Sequence, residues 1–341
     1  MTPPDVVPTP ASPTGAELAA LLAPLGDASY TPDRCDALAA TIAEIAALKR
    51  ERDAVILAHN YQRPEIFEVA DFVGDSLELA RQATRVDRRV IVFCGVHFMA
   101  ETAKILNPTR KVILPDLRAG CSLADGVTGE DLAERKAELK RLHPDLMVVG
   151  YVNTTADVKA ECDACCTSSN AVKIVEALPS RHILFVPDRN LAAYVQSQTT
   201  KEIIAWDGNC YVHHQITPEQ IAAVRKALPQ VRVLAHPECR SDVLKLADAV
   251  LSTSGMVKYA KESAEREFLV VTECGLSDRL LLEVPGKRFY KSCKLCHYMK
   301  MITLEGTRDA LRDLAPEITI PEDVRVRAAA ALERMLVLGA S

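Results

Sequence analysis

Three short apolar runs, each ending in polar residues, recur along the chain. They cover residues 55–60 (VILAHN), 147–153 (MVVGYVN) and 231–238 (VRVLAHPE). Continuous apolar runs of this length are typical of strands that are buried in a parallel sheet. The sequence therefore predicts three buried strands, each with polar side chains at its carboxyl end.

The same elements follow each of these strands. A turn rich in Ser or Thr opens a helical pattern, and a second apolar run comes after that helix, at residues 90–95, 182–187 and 268–274. The spacing from the polar strand end to the turn is 17 residues in each case: His59 to Ser76, Tyr151 to Ser168 and His236 to Thr253. Elements that repeat at a fixed period indicate that one α/β unit occurs three times.

The repeat predicts the fold class and the domain organisation. We expect an α/β protein of three similar small parallel-sheet αβα domains around a pseudo-threefold axis, with the active site at their interface. A chain of 341 residues exceeds what one hydrophobic core usually serves. The expected segments are a flexible extension at 1–33, repeats at 34–127, 128–215 and 216–310, and a C-terminal helix within 311–341 that packs on the first repeat.

Composition excludes several classes of function. The chain has 41 Lys and Arg against 46 Asp and Glu, and it contains no long basic block, which argues against a nucleic acid or an anionic membrane as partner. No apolar stretch reaches the roughly 18 residues of a transmembrane helix, and the N-terminus lacks the features of a signal peptide. We therefore expect a cytoplasmic protein that binds neither nucleic acid nor membrane.

The chain contains eleven cysteines, which a reducing cytosol would keep mostly free. Seven lie in predicted helices or strands, where a free cysteine usually packs as a small hydrophobic residue: Cys35, Cys94, Cys162, Cys165, Cys166, Cys239 and Cys274. Three others, Cys121, Cys210 and Cys296, lie in loops after predicted strands and are 89 and 86 residues apart. One thiolate from each repeat predicts a shared iron–sulfur cluster with one iron open to substrate.

Cys293 and Cys296 form a CxxC pair, which leaves two alternatives open. A thioredoxin-type redox pair is one of them, and a zinc knuckle would need a second pair nearby. The repeat favours Cys296 as the third ligand, because its spacing of 86 residues from Cys210 matches the period better than the 83 residues of Cys293.

Polar residues at the strand ends and helix starts indicate which kind of substrate would bind beside the cluster. If the repeats face one another, the strand-end residues converge: His59, Tyr61, Tyr151, Asn153, His236 and Glu238. Ser76, Ser168 and Thr253 would stand at helix N-termini, which favour carboxylate or phosphate groups. Each of the three alone is also compatible with an ordinary N-cap. Together they predict a small polyanionic substrate.

Glu238 and His213 are candidates for further roles. A carboxylate in a dry site can have its pKa raised toward neutrality, so Glu238 is the candidate general base, with a salt-bridged structural glutamate as the alternative. His213 follows Cys210 closely and would contact the cluster environment or a phosphate. A solvated pair with His214 is the other interpretation of His213.

Seven short motifs then occur in one order between residues 54 and 304. They are His59-Asn60-Tyr61, Gly74-Asp75-Ser76, Tyr151-Val152-Asn153, Cys166-Thr167-Ser168, Cys210-Tyr211-Val212-His213, His236-Pro237-Glu238-Cys239 and Ser252-Thr253-Ser254-Gly255-Met256. With the three phased cysteines, they resemble the quinolinate synthase family of bacterial NAD biosynthesis.

The resemblance implies a reaction, a cofactor and a set of residues. The family condenses iminoaspartate with dihydroxyacetone phosphate to give quinolinate, phosphate and two waters, in a transferase-type reaction that uses a [4Fe-4S] cluster. It implies Cys121, Cys210 and Cys296 as cluster ligands, and Glu238, Tyr61 and His59 are the hypotheses for catalysis. The residues expected to bind substrate are His59, Ser76, Tyr151, Asn153, Ser168, His213, His236, Glu238, Ser252 and Thr253. A transient contact with the enzyme that supplies iminoaspartate is a further expectation.

One departure from the family and two rival functions stay open. Several members have proline after the third cysteine, where this chain has His297, so the choice between Cys293 and Cys296 is less sharp. Oxidation of Cys293 with Cys296 would expel the cluster. The rival functions are a different iron–sulfur hydro-lyase that acts on a small polycarboxylate and a non-enzymatic metal or redox sensor.

Overall fold

The computed structural model describes residues 12–339 and contains three four-stranded parallel sheets, which confirms the predicted α/β class. Each sheet has the same strand order, with the first strand of the unit lying between the second and the third. The strands are β1 (Ala54–His59), β2 (Phe72–Gly74), β3 (Val90–Cys94) and β4 (Lys111–Ile113); β5 (Met147–Tyr151), β6 (Ala164–Cys166), β7 (His182–Val186) and β8 (Glu202–Ala205); and β9 (Arg232–Ala235), β10 (Ala249–Val250), β11 (Glu267–Val271) and β12 (Arg288–Lys291).

The strand registers show that the three units are built alike. Ala54 pairs with Val90, Met147 with Ile183 and Arg232 with Phe268, so the offset is 36 residues in every central pair. The carboxyl ends of β1, β5 and β9 therefore occupy equivalent places in their sheets. The three sheets fall within the expected segments 34–127, 128–215 and 216–310, whose boundaries and pseudo-threefold axis stay predictions.

Helices connect the strands and cover the sheets. They are α1 (Gly15–Leu22), α2 (Pro32–Arg52), α3 (Pro64–Phe67), α4 (Ser76–Arg85), α5 (His97–Leu106), α6 (Gly129–Leu142), α7 (Ala156–Ala160), α8 (Ala171–Ala177), α9 (Arg189–Gln196), α10 (Tyr211–His214), α11 (Pro218–Ala227), α12 (Ser241–Leu244), α13 (Thr253–Glu262), α14 (Cys274–Glu283), α15 (Leu304–Asp313) and α16 (Glu322–Leu338). Short 3₁₀ turns occupy Ala23–Leu25, Ala124–Gly126 and Met299–Met301. Within the described chain, no helix is both long and apolar enough to cross a membrane.

The segment before α2 differs from the flexible extension expected at 1–33. Residues 1–11 lie outside the described residues, but α1 is a capped helix in which Thr14 and Glu17 form a reciprocal capping box. Leu18 and Leu22, one turn apart, are buried where α1 packs on α2. Burial of these two side chains explains why the segment is ordered.

The C-terminal segment contacts two units instead of one. Helix α15 packs on α2 and β3 of the first unit, in line with the expected packing. Helix α16 lies mainly against α7 and β6 of the second unit and makes fewer contacts with α5. Its buried face is rich in alanine, including Ala328 and Ala331, and small side chains allow a close approach to α7. The expected contact with the first repeat is thus made by α15 and a smaller part of α16, while most of α16 packs on the second unit.

Replacing Leu18 with Ala should destabilise the protein by about 3 kcal/mol, because it removes a buried side chain from the contact of α1 with α2. The measurement is the midpoint of urea unfolding. The matched control is Leu21→Ala on the same helix, where the leucine is 40% exposed and little change is expected. Equal midpoints for the two variants would mean that α1 does not contribute to the folded core.

Candidate active site

One cavity lies where the carboxyl ends of the three sheets meet. It is lined by residues of all three units, as parallel α/β sheets place their ligands beyond the carboxyl ends of strands. All but one of the expected site residues line it: His59, Tyr61, Ser76, Cys121, Tyr151, Asn153, Ser168, Cys210, His213, His236, Glu238, Thr253 and Cys296. The exception is Ser252.

His59 and His236 are held in the same way at the ends of β1 and β9. The backbone N–H two residues later points at the Nδ1 of each ring, from Tyr61 at 3.2 Å and from Glu238 at 3.4 Å. Burial lowers the pKa of each of the two histidines to about 3, so both rings are neutral near pH 7. A neutral ring that accepts at Nδ1 carries its proton on Nε2, and His236 Nε2 lies 3.2 Å from Ser168 Oγ. Both histidines can therefore offer an N–H to a ligand.

Glu238 lies between two side chains from the second unit. Tyr151 donates its hydroxyl to Oε1 of Glu238 at 2.5 Å, and His213 Nδ1 lies 2.9 Å from Oε2. Burial would raise the pKa of Glu238, but His213 and the Tyr151 hydrogen bond outweigh burial and hold that pKa below its usual value. The expected upward shift toward neutrality was wrong in direction. Glu238 is a buried carboxylate that stays ionised.

Thr272 was not among the predicted site residues, and it links Tyr61 to His213. Its Oγ1 lies 2.6 Å from the Tyr61 hydroxyl and 2.8 Å from His213 Nε2, and it follows β11 at the same edge of the sheet. His213 is only 2% exposed, so the interpretation as a solvated pair with His214 is wrong. This polar chain joins the first, second and third units through buried groups.

The helix starts at the cavity differ from the expected anion sites. Asp75 caps α4 and accepts the backbone N–H groups of Leu77 and Glu78, each at 3.0 Å, so these donors are not free for a ligand. Burial raises the pKa of Asp75, which also lines the cavity. Ser76 and Thr253 are the first residues of α4 and α13 and not their caps, which leaves their hydroxyls at the cavity wall. The prediction of open helix N-termini was therefore wrong for α4.

Ser252 serves the structure and does not line the cavity. It caps α13 by accepting the N–H of Gly255 at 3.2 Å, and it donates its hydroxyl to Asp75 at 3.0 Å. Asn60 extends this contact between the first and third units by donating to Thr253 Oγ1 at 2.7 Å. Ser252 therefore joins two units beside the site, and its predicted substrate contact is not supported by its position.

Cys121, Cys210 and Cys296 follow β4, β8 and β12, the last strands of their sheets, and all three are free. Burial raises the pKa of Cys121 to about 12 and also raises the pKa of Cys210 and Cys296. Three protonated thiols that line one cavity suit a metal centre, because the charge of the metal is what deprotonates a coordinating thiol. The donor set therefore fits an iron–sulfur cluster.

Two buried carboxylates that were not predicted as site residues hold two of these cysteines. Asp188 accepts the backbone N–H of Cys210 at 3.1 Å, and Glu273 accepts that of Cys296 at 3.1 Å. Asp188 and Glu273 follow β7 and β11 and are 85 residues apart, as are Tyr151 and His236, so the period could have revealed them. The equivalent position after β3 is Val96, which has no carboxylate and lines the cavity.

Cys293 forms a disulfide with Cys274, so the structure does not contain the alternative pair of Cys293 with Cys296. Strands β11 and β12 are parallel neighbours, and their carboxyl ends bring the two Cα atoms to 5.1 Å. Cys274 was expected to be a free buried residue, but it opens α14 beside this strand end. With Cys293 in the disulfide, Cys296 is the free thiol of the CxxC pair.

A second donor set overlaps the cysteines. Ligand atoms of Cys210, His213 and Glu238 all lie within 4.8 Å of one another and could hold a single metal ion. The side chains of His213 and Glu238 already face Thr272 and Tyr151. The three cysteines, in contrast, come from equivalent places in three units, which favours one centre shared by all of them.

The fold and the site define a three-unit α/β protein with one polar, cysteine-lined cavity between the units. Residues 43–337 match the family described as quinolinate synthetase A protein. The chain belongs to this family. It is 54% identical over 300 residues to the quinolinate synthase of Desulforudis audaxviator, covering 87% of this chain and 98% of that protein. The quinolinate synthase of Thermodesulfovibrio yellowstonii is 54% identical over 301 residues, with the same coverage, and quinolinate synthase 1 of Methanosarcina acetivorans is 50% identical over 299 residues, covering 87% and 97%.

Peptide mapping without reductant should find Cys274 linked to Cys293 and nine free cysteines. After reduction, eleven thiols should react. Cys293→Ser should abolish the linked peptide, whereas Cys296→Ser should keep it, since Cys296 is outside the bond. A peptide that links Cys293 to Cys296 would contradict the pairing in this structure.

Proposed function

We propose that the protein is a quinolinate synthase that condenses iminoaspartate with dihydroxyacetone phosphate to give quinolinate, phosphate and two waters. Family membership supports the activity. The single structural observation that carries the proposal is the cavity, in which three cysteines meet neutral histidines, hydroxyls and an amide from three units. The proposed enzyme is a condensing and dehydrating enzyme of the transferase type in the cytoplasm, and contact with the enzyme that supplies iminoaspartate remains a proposal.

Cys121, Cys210 and Cys296 would hold a [4Fe-4S] cluster through three of its irons. When bound, the cluster supplies a Lewis acid that polarises an oxygen leaving as water. The protein contributes a dry site, because His59, His236 and Glu238 are each at most 4% exposed. Exclusion of water strengthens every charge and hydrogen bond that acts on the substrate.

Substrate anions would be bound by side-chain donors and less by helix ends. The Nε2–H groups of His59 and His236 and the hydroxyls of Ser76, Ser168 and Thr253 are the proposed donors for carboxylate and phosphate oxygens. Asn153 Oδ1 is buried without a hydrogen-bond partner among the described residues. A buried acceptor of this kind is costly unless a ligand N–H or O–H satisfies it, which suits the imine or a hydroxyl of the substrates.

Proton transfer would use the groups around Glu238. Its ionised carboxylate can accept a proton from carbon next to an imine or carbonyl, and the adjacent Tyr151 hydroxyl and His213 stabilise the charged form. Tyr61 and His59 are the second proposed pair, with the Tyr61 hydroxyl oriented by Thr272. The proposed catalytic residues are thus Glu238, Tyr61 and His59.

Anaerobic reconstitution of the wild-type protein should yield four irons and four sulfides per chain, and quinolinate should form from iminoaspartate and dihydroxyacetone phosphate. Cys121→Ser, Cys210→Ser and Cys296→Ser should each lose most of the iron, because each removes one of three ligands. Cys35→Ser is the control, since Cys35 is buried in α2 far from the cavity lining. A fully loaded protein that makes no quinolinate would favour a different iron–sulfur hydro-lyase or a sensor.

Binding of one metal ion without sulfide would support the overlapping Cys210, His213 and Glu238 set instead. In that case Cys121→Ser should keep its metal and His213→Ala should lose it. The cluster proposal expects the opposite order of metal loss for these two variants.

Glu238→Gln should lower kcat by at least about 100-fold, the usual contribution of a general base, while the cluster absorbance remains. Glu65→Gln is a matched control, because Glu65 is also a buried glutamate, with Tyr30 donating to it at 2.6 Å, and it does not line the cavity. Unchanged turnover in Glu238→Gln would remove Glu238 from the proposed catalytic set.

A further inference from the structure

Tyr211 follows Cys210 in the chain, yet its hydroxyl reaches the loop of Cys296. It accepts the backbone N–H of His297 at 2.9 Å and donates to the carbonyl oxygen of Leu295 at 3.4 Å. These two peptide groups flank Cys296. One phenol therefore connects the loop that carries the second cysteine to both sides of the third.

The other anchors of the Cys296 loop lie within the third unit: Cys293 is bonded to Cys274, and the N–H of Lys300 donates to the carbonyl oxygen of Cys296 at 3.3 Å. Leu295 is 60% exposed and His297 is also exposed, so apolar packing contributes little to its position. Glu273 accepts the N–H of Cys296, which fixes one peptide group from within the third unit. The Tyr211 contacts add two hydrogen bonds to this loop from the second unit.

The two contacts of Tyr211 act on the position of the third cysteine. The single hydroxyl proton of Tyr211 is donated to the carbonyl oxygen of Leu295, and the phenol oxygen accepts the N–H of His297. The peptide groups on both sides of Cys296 are therefore held from the second unit.

We propose that Tyr211 is a positioning residue for the third cluster ligand: its hydroxyl holds the Cys296 loop against the Cys210 loop through the two peptide groups that flank Cys296. The proposal rests on the proposed function, since it takes Cys296 to be a cluster ligand. His297 contributes through its backbone N–H, which orients the phenol. A proline at this position could not supply that donor.

Tyr211→Phe should release iron to a chelator about tenfold faster than the wild type under anaerobic conditions, since it removes two hydrogen bonds to the loop that together contribute about tenfold in an equilibrium. Tyr290→Phe is the matched control, because Tyr290 lies on β12 and its hydroxyl contacts Glu267 at 3.2 Å instead.

His297→Pro and His297→Ala distinguish the contribution of the backbone N–H to iron retention from that of the imidazole. The proline variant should release iron faster, as Tyr211→Phe does, whereas the alanine variant keeps the N–H and should behave as the wild type. Melting temperatures of all variants check the fold. If His297→Pro fails to fold, the comparison of Tyr211→Phe with Tyr290→Phe decides.

Hydrogen exchange of the metal-free protein tests the contact without the cluster. The His297 amide should exchange faster in Tyr211→Phe than in the wild type and in Tyr290→Phe. Iron release and His297 amide exchange in Tyr211→Phe that both match the wild type would overturn the proposal. A wild-type protein that never takes up a cluster would instead count against the proposed cofactor, and the amide exchange would still decide whether Tyr211 holds the loop.

Discussion

The site depends on the pairing of parallel strands with one register in all three sheets. Because β1, β5 and β9 are paired at the same offset, their polar ends lie at equivalent edges, and one cavity can collect residues from each. No single unit contains the set, since the three cysteines come from three units. Formation of the site therefore requires the units to dock, and buried contacts such as Tyr151 with Glu238 and Ser252 with Asp75 join them.

Most of the fold and most of the cavity lining were predictable from the sequence. Buried parallel strands leave continuous apolar runs, and a fixed period of equivalent residues reveals units whose ends must correspond. The period was informative enough to select His59, Tyr151 and His236, and it also applied to Asp188 and Glu273. The substrate was not accessible in this way, because spacing reports where side chains gather and not what they bind.

Two of the errors depend on contacts between distant segments of the chain, and the third depends on local capping geometry. The pKa of Glu238 is lowered by His213 and Tyr151, two residues of another unit, and no local pattern shows that approach. The pairing of Cys274 with Cys293 follows from neighbouring strand ends, whereas the CxxC spacing suggested a local pair. Asp75 lies next to Ser76 in the sequence, but only the capping geometry shows that it occupies the donors of α4.

Val96 makes the cavity wall of the first unit differ from that of the other two units. In the second and third units, a carboxylate at this position accepts the backbone N–H of a cysteine. The first unit has Val96 there, and Phe98 and Met99 line the cavity beside it. A cavity formed by three identical units would bind a molecule in three equivalent orientations. The apolar stretch contributed by the first unit makes the wall unequal, so these three orientations are no longer equivalent. Divergence at one repeated position thus helps a scaffold of three similar units to bind a molecule in one orientation.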